Sequence, residues 1–467
     1  MPITHMMSMG DKLFLRHVKR TLILSVPLIV GQLGQMMMGV VDSIMVGHLN
    51  AASLAAAALG NGLFMIVLLF GTGITLAIAP LVSKAYGEGN NERCGQILRQ
   101  GFLVTLGSGI LLTIIAVWGS EIIGWMRQEP DVEFLAIGYA KILGWSVIPF
   151  LLFMTYKQFA EGLNMMLPAM IISLAANMFN AFGNWIFIFG KWGFPALGLE
   201  GAGWSTFTTR TLMAGAMILF VLLSPKLKVF NPGFRFTRID WVVVRHILSV
   251  GIPSGIQYLF EVSAFVASAF LIGWIGKNEL AAHQIALNLA SVTYMGSLGI
   301  SMASTVRIAR FYGQGDFDEL KTAGNAAFVL ILGIMAMTGI FFVVANQLLP
   351  MLYIEDQVVR DIASQLILLA ALFQLSDGQQ AVCLGALRGI QDVTVPARIT
   401  FFAYWVIGIP FGWFLAMPMG IGVTGIWYGL VIGLTLSAGL LTVRFYHTIE
   451  ERKTSYIREH ENMRHAS

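Results

Sequence analysis

The sequence predicts an all-α membrane protein of about twelve transmembrane helices, arranged as two parallel-repeat six-helix lobes. Three observations predict it. Hydrophobic residues make up 57% of the chain, charged residues only 12%, and the mean hydropathy is +0.75, a composition that suits lipid rather than water as solvent. Apolar runs of membrane-crossing length recur along the whole chain. The second half repeats the first at one offset.

The apolar runs, bounded by charge, Gly or Pro, fall at 21–45, 54–80, 96–119, 134–156, 166–189 and 199–223, then at 246–272, 280–306, 322–347, 359–385, 396–416 and 421–445. Each reaches the roughly 20 residues that a helix needs to cross the hydrocarbon core. The basic stretch Lys12, Arg16, Lys19, Arg20 leads into a run too long for a signal-peptide core, so the first span is expected to be retained. Residues 10–20, with Leu13, Phe14 and Val18 among the charges, read as a short helix on the membrane surface.

The longest polar interior segment runs from Ser224-Pro225-Lys226 through Asn231-Pro232-Gly233 to Arg245. Its turn-forming residues mark a linker. The expected organisation is therefore an N-terminal cytoplasmic segment at 1–20, a first lobe of six spans at 21–223, a cytoplasmic linker at 224–245, a second lobe of six spans at 246–446 and a cytoplasmic tail at 447–467.

Orientation follows from Lys and Arg. Alternate loops are read as holding Lys84, Arg93 and Arg99; Lys157; Lys226, Lys228, Arg235, Arg238 and Arg245; Arg307, Arg310 and Lys321; and Arg388 and Arg398. These loops are expected on the cytoplasmic side, with both termini. The opposite loops carry only Arg127, Lys141, Lys191, Lys277 and Arg360. The chain is expected in a bacterial inner membrane.

The repeat is specific. Pro27 and Pro253, Gly47 and Gly273, Leu54-Ala55-Ala56 and Leu280-Ala281-Ala282, and Tyr86-Gly87-Glu88-Gly89 and Tyr312-Gly313-Gln314-Gly315 share the offset 253 − 27 = 226. Glu161-Gly162 with Arg388-Gly389, and Gly198-x-x-Gly201 with Gly422-x-x-Gly425, continue it at nearly that spacing. Six spans is an even number, so the two halves enter the membrane in the same sense, as in transporters whose substrate site lies between repeats near mid-membrane.

Ionisable residues inside apolar spans cost about 2.5–3.5 kcal/mol each when charged at a helix centre, which makes Asp42, Glu261 and Asp377 the leading candidates. Asp42 ends a stripe of Gly31, Gln35 and Gly39 on the first span, although it lies near the span's outer end and an interfacial position stays open. Glu261 follows Ser254, Gln257 and Tyr258 on the seventh span, and Asp377 lies between Gln374 and Gln380 on the tenth. On the fifth span Asn180 and Asn184 are one turn apart, and on the sixth Thr206 precedes Arg210 by one turn. With Asp42 they offer carboxylate, amide and hydroxyl oxygens, hard ligands for a small cation or stations for a proton. Interhelical hydrogen bonding by the same Asn and Thr is the competing reading. Arg210 needs an anionic or carbonyl partner, and Asp42 is the candidate. Gln284 and Asn288, with Ser291, extend a polar lining on the eighth span, and His283 at its start reads as a solvated interfacial residue. Gly39, Ser43 and Gly47 form a small-residue row that reads as close helix packing.

Other classes find no support. The basic residues form no stripe interleaved with aromatics, which argues against nucleic acid. Cys94 and Cys383 are too few and too far apart for a disulfide framework or a metal motif. Gly71-x-Gly73 lacks the strand–loop–helix setting of a nucleotide site, and no Walker A or His-Glu-x-x-His pattern occurs. No enzymatic activity and no cofactor are expected; the energy must come from an ion gradient.

These residues resemble the multidrug and toxic compound extrusion (MATE) family, closest to its NorM branch, over nearly all of residues 20–445. The carriers are Val41-Asp42-Ser43-Ile44-Met45-Val46-Gly47, Asn180-x-x-x-Asn184-Trp185-Ile186-Phe187-Ile188-Phe189-Gly190, Gly201-Ala202-Gly203-Trp204-Ser205-Thr206, Phe260-Glu261-Val262-Ser263, and Ser376-Asp377 followed by Gly385-Ala386-Leu387-Arg388-Gly389. The resemblance implies two lobes around a V-shaped cavity, exporting cationic amphipathic drugs in exchange for Na+ or H+, by a monomer in the lipid bilayer. It implies a first-lobe cation site at Asp42, Asn180 and Asn184 and second-lobe carboxylates at Glu261 and Asp377, with Na+ expected at one set or the other. Arg210 departs from the pattern, and Phe373 stands where some members carry a hydroxyl one turn before the aspartate. A lipid-linked oligosaccharide flippase of the same superfamily and a passive channel are the alternatives.

Overall fold

A computed structural model of the chain describes residues 9–126, 128–233 and 239–466. Residues 1–8 of the N-terminal segment, and Arg127, Arg235 and Arg238 among the orienting cations, lie outside them. Among the described residues there is no strand, and twelve helical stretches are long and apolar enough to cross a membrane. They are span 1 (Lys12–Gly47), span 2 (Ala51–Gly87), span 3 (Asn91–Met126), span 4 (Pro130–Gly162), span 5 (Leu167–Phe189), span 6 (Leu199–Leu223), span 7 (Trp241–Ile275), span 8 (Lys277–Gln314), span 9 (Phe317–Ala345), span 10 (Gln357–Gly389), span 11 (Thr394–Ala416) and span 12 (Val423–Arg458).

Local chemistry sets the corners. The repeated Tyr-Gly-x-Gly motif is a helix stop followed by a restart: Gly89 and Gly315 take left-handed backbone angles, φ 73° and 71°. The residues that follow, Asn90 and Asp316, then accept from the backbone N–H groups of Arg93 (2.9 Å) and Glu319 (3.0 Å) to cap spans 3 and 9. Asn50 and Asp356 cap spans 2 and 10 in the same way.

The residues from Val30 to Ile256 form one compact unit, and those before Val30 and after Ile256 form the other. The division falls inside spans 1 and 7, three residues after Pro27 and Pro253, rather than at the linker. Within the first unit, the start of span 7 is held against span 2 by glycines. A β-carbon on Gly73 would overlap the backbone of Gly255, and β-carbons on Gly251 and Gly255 would lie 2.7 and 2.8 Å from the carbonyl oxygens of Ile74 and Phe70. Within the second unit, Gly299 of span 8 meets Ile29 of span 1 just as closely. The positions correspond by the repeat, 299 − 73 = 226 and 255 − 29 = 226, so one crossing is built twice.

Several expectations change. Residues 10–20 are not a separate surface helix, because one helix runs unbroken from Met9 to Gly47. Lys157, Arg307 and Arg388 are not loop residues; each is buried within a helix. Lys157 lies 3.8 Å from the buried Glu161. Arg307 donates to the carbonyl (2.9 Å) and meets the ring (2.6 Å) of His17, and donates to Thr21 Oγ1, while His17 pairs with Glu319 at 2.7 Å. A cation at a span's end can stay within the helix when side chains of the bundle satisfy it. The Gly39–Ser43–Gly47 row does not mediate close packing either. Nothing lies within 4 Å of a β-carbon on Gly39, and the Ser43 hydroxyl donates to its own helix at the Gly39 carbonyl, 2.9 Å away.

The crossing at Gly73 makes a stability prediction. Gly73→Ala forces a methyl group into the backbone of span 7 and should destabilise the purified protein by about 1–3 kcal/mol, the usual cost of overpacking. Gly107→Ala, whose β-carbon meets open space, should be neutral or raise stability by up to about 1 kcal/mol through helix propensity. Equal thermal unfolding midpoints for wild type and Gly73→Ala would show that the crossing is not tight.

Candidate functional site

Each unit carries its own buried polar cluster. In the first, Asn177, Asn180 and Asn184 share one face of span 5 at spacings of three and four. Asn177 donates to the Gly34 carbonyl of span 1 at 2.8 Å, which ties the two helices together about two turns from Asp42. Asn184 Nδ2 donates to Asp42 Oδ1 at 2.6 Å and to Asn180 Oδ1 at 3.4 Å, and Thr206 Oγ1 donates to Asp42 Oδ2 at 3.2 Å. Span 6 comes this close because Gly183 has no side chain; a β-carbon there would sit 2.5 Å from Ser205 Oγ, which donates to the Asn180 carbonyl at 3.0 Å.

Asp42 is only 8% exposed. It is enclosed by protein: both carboxylate oxygens receive a donor, and a hydrogen bond to a charged group contributes about 1.5–3 kcal/mol. Asn180 and Asn184 are fully buried, and Asn184 Oδ1 has no hydrogen-bond partner. The expected Asp42–Arg210 contact does not form. Arg210 instead donates to Ser146 Oγ at 2.6 Å, with its guanidinium 5.0 Å from the ring centres of both Phe64 and Phe150.

In the second unit, Glu261 and Asp377 are 5% and 6% exposed, and their charges act on each other. Tyr294 of span 8 donates to Glu261 Oε1 at 3.1 Å, while Glu261 Oε2 has no partner. Arg388, buried on span 10, acts electrostatically on Tyr258 and Glu261. Span 11 turns as a π-helix at Phe402–Gly408, a local widening of the helix that often marks functional sites. It brings successive aromatics to bear on the cluster: Tyr404 pairs with Gln380 at 3.1 Å, and Trp405 Nε1 donates to the Phe260 carbonyl, next to Glu261, at 3.1 Å. Phe373 is an apolar wall, its ring 6.0 Å from Phe265 and 5.8 Å from Trp427. The hydroxyl beside the carboxylates thus comes from span 8.

The structure therefore brings together Asp42, Asn180, Asn184 and Thr206 in one cluster and Glu261, Asp377 and Tyr258 in another. Gln35 is half-buried, its Nε2 without a partner. Gln284 and Asn288 are exposed, and neither bonds to Glu261 or Asp377. His283 is not solvated; it is fully buried, its ring 5.8 Å from that of Trp427. Sequence reasoning missed Tyr294 and Tyr404. One more turn along the Gln284–Asn288–Ser291 stripe reaches Tyr294, whereas no period finds Tyr404, because the π-helix shifts the register.

Comparison with known proteins agrees with this architecture. The MatE family model matches twice, at residues 27–186 and 253–414, one match in each repeat. The chain is 34% identical to the probable multidrug resistance protein NorM of Agrobacterium fabrum, over 96% of this chain and 97% of that one. It is 36% identical to the protein of the same name from Rhizobium meliloti (95% and 96%) and 33% identical to multidrug resistance protein MdtK of Edwardsiella ictaluri (92% and 95%). Its fold matches the eukaryotic MATE transporter AtDTX14 with a TM-score of 0.86 at 21% identity, covering 95% and 99% of the two chains. It also matches an outward-facing MATE transporter of the MOP superfamily with a TM-score of 0.85 at 20% identity, covering 96% and 99%. A duplicated family match, full-length relatives and the twelve-span repeat lead to one conclusion: the chain belongs to the MatE family of multidrug and toxic compound extrusion transporters, in its NorM-like branch.

Proposed function

We propose that the chain is a secondary active exporter of cationic amphipathic compounds, driven by antiport with Na+ or H+ and coupled through Glu261 and Asp377. It works as a monomer in the bacterial inner membrane, with both termini and the linker in the cytoplasm. The observation that carries the reading is the second cluster: two carboxylates buried within spans, acting on each other, with one oxygen unpartnered. Two such charges are costly to keep together unless a cation joins them. A proton or a sodium ion relieves that cost, and so does a drug cation. At 100 mV, one charge crossing the membrane releases about 2.3 kcal/mol, enough for somewhat under two decades of drug gradient.

Transport in liposomes tests the exchange. With sodium and pH gradients imposed separately, wild type should accumulate a fluorescent lipophilic cation against its gradient under one of them. Glu261→Gln and Asp377→Asn should each cut the ion-driven component by roughly 5- to 150-fold, the usual range of a coupling free energy. Flux that only runs downhill would mean a passive channel, and movement of lipid-linked oligosaccharide instead of drug would mean a flippase.

Competition follows from the same geometry. A cationic drug interacts better with a deprotonated carboxylate, so binding should expel protons, and acidification should weaken drug binding. If sodium is the ion, adding it at fixed pH should do the same, since linkage is reciprocal. Calorimetry in buffers of different ionisation enthalpy reads both effects, and drug affinity indifferent to both ions would refute the shared site. Orientation is tested by single cysteines near Asn231 and Met419 in a variant lacking Cys94 and Cys383; these should label from opposite faces of the membrane.

A further inference from the structure

The two clusters differ in charge although the halves are repeats. In the second unit, Glu261, Asp377 and Arg388 leave a net charge of −1 when all are ionised. In the first, Asp42 stands with Arg210 and the sum is zero; Asp42 is the carboxylate whose charge acts on Arg210. The repeat shows how the difference arises. At the offset 253 − 27 = 226, Glu261 corresponds to Gln35, and at the offset 388 − 161 = 227, Asp377 corresponds to Phe150. Both second-half carboxylates are therefore uncharged in the first half. At the offset 425 − 201 = 224, Arg210 corresponds to Leu434, so its cation has no counterpart in the second half.

The geometry around Arg210 is that of a permanent resident. It lies one turn from Thr206 on span 6, and Thr206 bonds to Asp42 at 3.2 Å. Its guanidinium is held between Phe64 and Phe150, each ring centre 5.0 Å away, and anchored on Ser146 at 2.6 Å. Cation–π contact with two rings favours a delocalised, weakly hydrated cation, and a guanidinium does not lose its proton in the physiological range.

We infer that Arg210 is the built-in counter-ion of the first half: its fixed charge, in place of an exchangeable Na+ or proton, balances Asp42. The Glu261–Asp377 cluster is then the single ion-exchanging centre. This rests on the proposed antiport reading and narrows it, because one cation, not two, turns over in each cycle.

Equilibrium uptake by the purified full-length protein in lipid nanodiscs tests it, with radioactive sodium and a proton-sensitive dye read separately. Wild type should take up one cation equivalent, and Asp42→Asn should not reduce it. Arg210→Gln should gain a second equivalent, which Asp42→Asn in the same chain removes again. Arg210→Lys keeps the charge and should keep the wild-type count; a merely structural Arg210 would not separate Lys from Gln in this way. The inference is overturned if Arg210→Gln takes up no more than wild type, or if Asp42→Asn in the wild-type background removes an equivalent. The second outcome decides the question even if Arg210→Gln fails to fold. Unchanged uptake in Glu261→Gln and Asp377→Asn would instead sink the second-half coupling centre, leaving the comparison at Arg210 intact.

Discussion

A charge inside an apolar bundle must be answered by groups within reach, since neither lipid nor bulk water will do it. The buried ionisable residues of this chain are organised by that constraint. Lys157 stands with Glu161, and Arg307 with His17, Thr21 and Glu319. Asp42 has two side-chain donors and a guanidinium nearby. Glu261 and Asp377 are the exception. They have hydroxyl and guanidinium neighbours but more negative charge than the cluster itself offsets, and the proposed antiport rests on that deficit.

Close backbone approach is the second requirement, because polar clusters of short side chains form only where helices nearly touch. Gly183 lets Ser205 and Thr206 reach span 5 and Asp42. Gly73, Gly251 and Gly255 hold span 7 to span 2, and Gly299 repeats the arrangement with Ile29. In lipid, such contacts draw on packing and interhelical hydrogen bonds rather than on apolar burial. A single methyl group at these sites therefore acts on the framework that holds the clusters, not on the chemistry.

Much was legible in the sequence because hydropathy and span length are local quantities. All twelve spans and the nearly constant offset of the repeat could be read directly, and so could the polar faces bearing Asp42, Asn180, Asn184, Thr206, Glu261 and Asp377, since spacings of three and four on a straight helix place residues on one face. Lys157 was misread although its partner Glu161 is only one turn away; His283, Arg307 and Arg388 were misread for the opposite reason. Their settings depend on residues far away in the chain, such as Trp427 for His283 and His17 for Arg307. Tyr404 was invisible because its direction depends on a π-helix that breaks the period.

By itself, then, the sequence determined the solvent, the number of spans and which carboxylates fall within apolar runs, because each follows from the free energy of placing a residue in lipid, and the recurrence of its residues showed the duplication. Only the tertiary structure decided which groups answer each carboxylate: Asn184 and Thr206 for Asp42, Tyr294 for Glu261, and Ser146 with two aromatic rings for the Arg210 that Asp42 was expected to hold. Those pairings bridge separations of up to 164 residues. They are set by where helices cross, and helix crossings are fixed by the packing of side chains that no local pattern records.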